Sequence, residues 1–117
     1  MTDQELLELA AKAADLNIKA QSINADDHWI GLIVGEKHTR EKKFWNPLTD
    51  DGDAFRLAVN LKLSLYINHA VRVDYHIPNS FPTTPLYEPL EPDVYAATRR
   101  AIVRAAAEIG KSIEVTK

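Results

Sequence analysis

Several residue types that carry binding or catalytic chemistry are scarce in this chain of 117 residues. There is no cysteine, which excludes disulfides and thiolate metal sites and fits a reducing compartment. Basic residues number 14 against 17 acidic ones, so the net charge of −3 does not favour binding to duplex DNA. No apolar run approaches the ~20 residues that span a bilayer. DNA and membranes are therefore not expected as partners.

The remaining composition is that of an ordinary globular domain. Hydrophobic residues make up 45% and charged residues 26% of the chain, and this length predicts one domain over residues 1–117. The N-terminal sequence MTDQELLELA is acidic and helical instead of basic and then apolar. This pattern argues against a secretory signal and favours a cytoplasmic location.

Three helices are predicted from caps and apolar stripes. The sequence from Thr2 to Glu5 reads T-x-x-E, a capping box that begins a helix over about residues 3–15. Thr49 or Asp50 caps a second helix that ends near residue 62. Asp93 caps a third helix, and Gly110 is expected to end it in the left-handed conformation.

Strand signals lie between these helices. Residues 28–34 (HWIGLIV) form an apolar run that predicts a buried strand, and the charged stretch that follows is either a loop or a hairpin tip that returns through residues 43–45. Alternation over residues 64–77 predicts a hairpin with one apolar face. Residues 78–92 hold five of the six prolines and predict an extended loop, while residues 112–117 predict a tail with some strand character. We therefore expect an α+β fold, an αβα sandwich in which three helices cover a mainly antiparallel sheet of three or four strands.

Two blocks carry a family resemblance. WNPLTDDGDAFRLAV and DVYAATRRAIVRAAAEIG resemble segments of the phage α-β-α (ABA) sandwich domain, which has the layout of NinX-type small phage proteins. The similarity spans roughly residues 29–110. It implies an αβα sandwich, a phage or prophage origin, the bacterial host cytoplasm as location, and no particular reaction or cofactor.

Acidic and histidine residues give weak signals for metal binding. Asp50, Asp51 and Asp53 lack the spacing of a calcium-binding loop, and helix capping explains the cluster more simply. The four histidines show no i, i+4 pair of the kind found in zinc proteases. No metal site is predicted.

The last helix carries the most suggestive polar residues. Arg100 and Arg104 lie one turn apart, so both guanidinium groups are placed to hold one anion. The alternative is a solvated face in which Arg104 pairs with Glu108. The candidate ligand-binding residues are Arg56, Arg99, Arg100, Arg104, Trp45 and Tyr95.

Two functional hypotheses follow. The first is a non-catalytic protein that binds a host or phage protein, or a second copy of itself, and modulates host physiology or defence. The second is a sponge for an anionic nucleotide, in which the arginines hold phosphates and an aromatic ring stacks on the base. Since no catalytic triad or nucleophile elbow is present in the sequence, an enzyme is not expected, and neither is a cofactor.

Overall fold

The fold is described by a computed structural model that covers residues 1–36, 38–77 and 85–115, with side chains up to residue 113. Within these ranges the chain forms three helices and six strands, and all strand pairs are antiparallel. The α+β class with three helices is confirmed. The elements in chain order are α1 Asp3–Ala13, β1 Asn17–Ile23, β2 Trp29–Gly35, β3 Lys43–Trp45, α2 Asp51–Asn60, β4 Ser64–Ile67, β5 Ala70–Asp74, β6 Leu86–Pro89 and α3 Val94–Val115.

The strands form two sheets instead of the single sheet expected. Sheet A has the order β1-β2-β3, and sheet B has the order β4-β5-β6. Strand β1 was not predicted, because its sequence NIKAQSI is largely polar and mostly exposed. The hairpin alternative for residues 43–45 is confirmed by the pairing of β3 with β2. Strand β6 corrects part of the loop predicted over residues 78–92, of which residues 78–84 lie outside the described residues.

The helix starts follow the predicted caps. The backbone N–H of Glu5 donates to the Thr2 hydroxyl (3.1 Å), and that of Asp53 donates to the Asp50 carboxylate (2.7 Å). The predicted end of the third helix at Gly110 is wrong, since α3 continues to Val115 and includes the segment expected to be a tail. Gly110 is instead a contact point, where an added methyl group would overlap the backbone of Leu9.

Helix α3 is central because small or apolar residues surround most of its circumference. One core joins sheet A to all three helices, and α3 contributes Ile102, Val103, Ala106 and Ala107 to it. A second core joins sheet B to Ala101 and Ala105 of α3. The layering therefore differs from helices on both faces of one sheet: α3 packs against sheet B on one side and against α1 and α2 on the other, and α1 in turn packs against sheet A. No helix in the described ranges combines the length and apolar character needed to cross a membrane.

Candidate functional site

The three arginines of α3 contact three different parts of the fold. Arg99 donates to the Leu48 carbonyl (2.8 Å) and to the Asp51 carboxylate (2.6 Å) at the start of α2. Arg100 pairs with Asp3 of α1 at 3.1 Å.

Arg104 turns toward sheet B. It donates to the Glu88 carboxylate (2.9 Å) and to the Tyr87 carbonyl (3.2 Å) of β6. The sequence offered Glu108 as an alternative partner of Arg104. In the structure Arg104 pairs with Glu88 instead, and Glu108 contacts Lys111 (3.3 Å). Arg100 and Arg104 thus hold carboxylates of different elements, and they do not converge on one anion as the sequence suggested.

The acidic cluster at the start of α2 is engaged within the protein. Asp50 caps the helix, and Asp51 holds Arg99. The buried carboxylate of Asp53 accepts hydrogen bonds from the backbone N–H of Asn46 (3.1 Å) and from the Arg56 guanidinium (2.8 Å). Arg56 therefore pairs with a carboxylate of its own helix. The described residues contain no group of three or more histidine or acidic side chains suited to a metal ion.

Trp45 also requires a correction. Its side chain is only 3% exposed and packs in the first core, so it offers no surface for stacking. It closes the core from β3, where the register pairs it with Leu32.

Tyr95 lies at a different kind of site. Tyr95 is 71% exposed and borders a groove of about 350 Å³ between α2, α3 and β4. We call it the α2–α3–β4 groove. The floor consists of core residues. Its lining residues are Asp51, Ala54, Phe55, Ala58, Leu65, Ile67, Val94, Tyr95, Thr98, Arg99 and Ile102.

Large apolar side chains are exposed around this groove. Phe55 on α2 is 68% exposed, and Ile67 on β4 and Val94 on α3 also face solvent. Contiguous apolar surface of this kind is typical of sites that bind another molecule. The charged groups at the groove, Asp51 and Arg99, already pair with each other. The groove therefore favours a ligand that brings apolar groups over one that brings charge.

Comparisons with protein-family models, with curated proteins and with solved structures find no match.

The outer face of sheet B carries a second row of side chains. Tyr66, Arg72 and Tyr87 are paired across its three strands, and the Arg72 guanidinium lies 5.1 Å from the Tyr66 ring centroid. Two hydrogen bonds from Arg72 to Asp74, of 2.9 and 3.0 Å, raise the pKa of Arg72 above its ordinary value. Arg72 is thus paired with Asp74 and Tyr66 on this face of the sheet.

Sequence reasoning found Tyr95 and Arg99 but missed the apolar rim. Phe55 is adjacent in sequence to the core residue Ala54, but it faces solvent together with Val59. The signal was present, since Phe55 and Val59 are an i, i+4 pair outside the stripe formed by Ala54, Leu57 and Ala58.

Proposed function

We propose that this chain is a non-catalytic binding protein that docks an apolar segment of another polypeptide chain, a host or phage protein or a second copy of itself, in the α2–α3–β4 groove. The observation that carries the proposal is the exposure of large apolar side chains from three elements around one groove. A protein segment with apolar side chains would bury this surface, and aromatic residues such as Phe55 and Tyr95 are typical anchors of such interfaces.

The alternative, a sponge for an anionic nucleotide, has less support. Each of Arg56, Arg99, Arg100 and Arg104 already contacts a carboxylate, and a phosphate would have to displace that partner. Thermal melting with a panel of cyclic nucleotides tests it, since a ligand at a hundred times its Kd adds ~2.7 kcal/mol to the stability.

The biological setting is proposed on the sequence resemblance alone. It favours a protein encoded by a phage or prophage that acts in the bacterial cytoplasm on a host or phage protein. A gene position outside any phage-derived region would count against this setting, while the groove would remain as described.

Photo-crosslinking tests the docking proposal directly. We expect a benzoylphenylalanine at position 55 to give protein adducts of discrete mass in bacterial cells that express the chain. The same residue at Phe44, an exposed phenylalanine of sheet A, is the matched control and should give none. The additional change Tyr95→Ser should lower the adduct yield about tenfold, because loss of an aromatic anchor costs ~1.4 kcal/mol or more. Equal adducts at positions 44 and 55, or none at 55, would refute the proposal.

A further inference from the structure

Strand β4 is an edge of sheet B with outward-facing backbone groups. Ile67 pairs with Val71, and the Asn68 amide donates to the Ala70 carbonyl (3.1 Å). Since bonded and non-bonded pairs alternate along an antiparallel ladder, the N–H and C=O groups of Leu65 and Ile67 point away from β5. In the described part of the chain, no strand covers this side of β4.

The other three sheet edges carry features that discourage pairing. Strand β1 has two register irregularities and Lys19, β3 has only three residues and begins with Lys43, and β6 contains Glu88 and Pro89. Strand β4 has the sequence SLYI, without charge or proline, and its register with β5 is regular. It is therefore the edge best suited to accept another strand.

The apolar groove lies beside this open edge. Leu65 and Ile67 of β4 line it, so a strand added to β4 would place alternate side chains over the groove. Backbone hydrogen bonds and apolar burial would then act at the same site. This combination is the physical basis of strand addition between proteins.

We propose that a second copy of this chain occupies the site, with the two β4 strands antiparallel about a twofold axis at Tyr66. The inference rests on the proposed docking function of the groove and names its occupant. In this register Leu65 of one copy faces Ile67 of the other on the groove side, and their outward backbone groups form hydrogen-bonded pairs. The strand is thus complementary to itself.

Charge and area support a second copy as the occupant. The absence of charge on β4 means that no like charges meet across the axis. The exposed apolar and aromatic residues that line the groove are Phe55, Leu65, Ile67, Val94 and Tyr95. Phe55 and Tyr95, as aromatic side chains of ~150–250 Å² each, would supply a substantial part of the ~800 Å² per partner that a stable interface buries.

The mass of the purified full-length chain in solution is the first test. Sedimentation velocity across a concentration series should give twice the chain mass of 13.1 kDa. Ile67→Lys should shift the protein to the single-chain mass, because it places a charge at the apolar centre of the interface. Ile23→Lys is the matched control and should remain a dimer, since Ile23 is 57% exposed on an edge of sheet A and Ile67 is 55% exposed.

A cysteine crosslink tests the register independently of any loss of folding. The chain has no cysteine, so Tyr66→Cys introduces a single thiol at the axis. The Cα atoms of a non-hydrogen-bonded pair lie ~4.5 Å apart, which a disulfide can bridge. Mild oxidation should give a covalent dimer for Tyr66→Cys and not for Tyr87→Cys, which is equally exposed on the same sheet face.

The outcomes separate this inference from the proposed function. A single-chain mass at all concentrations, or a dimer that Ile67→Lys leaves intact, would overturn the second copy as occupant. If adducts at position 55 then contain only other proteins, docking in the groove stands with a different partner. If position 55 gives no adduct at all, the docking function itself fails.

Discussion

At the scale of single residues, the most consequential contact is the buried pair of Asn46 and Asp53. The Asp53 carboxylate accepts from the Asn46 backbone and from Arg56, and the Asn46 side chain donates to the Ile30 carbonyl (2.7 Å). These bonds attach the start of α2 to β2 and to the end of β3. They therefore hold the α2 wall of the groove in place.

We expect Asp53→Ala to lower the free energy of unfolding by about 1–3 kcal/mol, because it leaves the buried N–H of Asn46 without an acceptor. Urea denaturation followed by circular dichroism measures the change. Asp26→Ala, an exposed site outside helix and strand, should change it by less than about 0.5 kcal/mol. Similar losses for the two variants would show that the buried hydrogen bond contributes little.

At the scale of elements, two helices end without glycine. Asp15 and Lys62 occupy the left-handed position after α1 and α2, with φ angles of 59° and 56°. After α1, the amide of Asp15 donates to the Lys12 carbonyl (3.1 Å) and that of Leu16 to the Ala11 carbonyl (2.9 Å). This is the Schellman pattern, in which glycine is the usual residue.

Asp15→Gly should therefore stabilise the protein by about 0.5–1 kcal/mol, since glycine adopts this conformation without the steric cost of a side chain. The thermal midpoint provides the measurement. Asp15→Ala removes the same carboxylate but keeps a Cβ, so it should give no gain. A gain from alanine equal to that from glycine would assign the effect to charge instead of backbone conformation.

The starts of the helices were predictable from the sequence, whereas their ends and two of the strands were not. Helix starts were predicted because Thr2 and Asp50 act within their own first turn. The ends were less clear, since no glycine marks them and Gly110 lies inside α3. Strand β1 pairs with the neighbouring β2, but its largely polar sequence shows no strand pattern, and β6 lies in a proline-rich stretch that is typical of a loop.

The candidate site was predicted only in part. Tyr95 and Arg99 were identified from residue type, and both border the groove. The carboxylates that engage Arg99 and Arg100 lie 48 and 97 positions away in sequence, so their pairing followed only from the tertiary structure.

At the scale of the whole molecule, the close approach of α1 and α3 determines how the helices pack. Gly110 of α3 is buried against the backbone of Leu9 in α1, which leaves no room for a side chain. Alanine would fit the helical conformation better than glycine by ~1 kcal/mol. The steric overlap with a backbone carbonyl is the larger effect, because the backbone cannot rotate away.

We expect Gly110→Ala to destabilise the protein by about 1–2 kcal/mol in equilibrium unfolding, the net of overpacking and helix propensity. Gly52→Ala is the control within α2. Its added methyl group would meet the end of the Arg56 side chain and an Asp50 oxygen at 3.2 Å, and the flexible Arg56 side chain can move aside. A gain in stability from Gly110→Ala would contradict the close packing of α1 on α3.

The tryptophans and the tyrosines occupy different parts of the fold. Both tryptophans belong to sheet A, Trp29 in β2 and Trp45 in β3. The four tyrosines belong to sheet B or its surroundings, or to the groove, at positions 66, 75, 87 and 95. Excited selectively, the two tryptophans therefore report on the surroundings of sheet A, and a difference between their unfolding transition and that of circular dichroism would show that the two sheets unfold at different points.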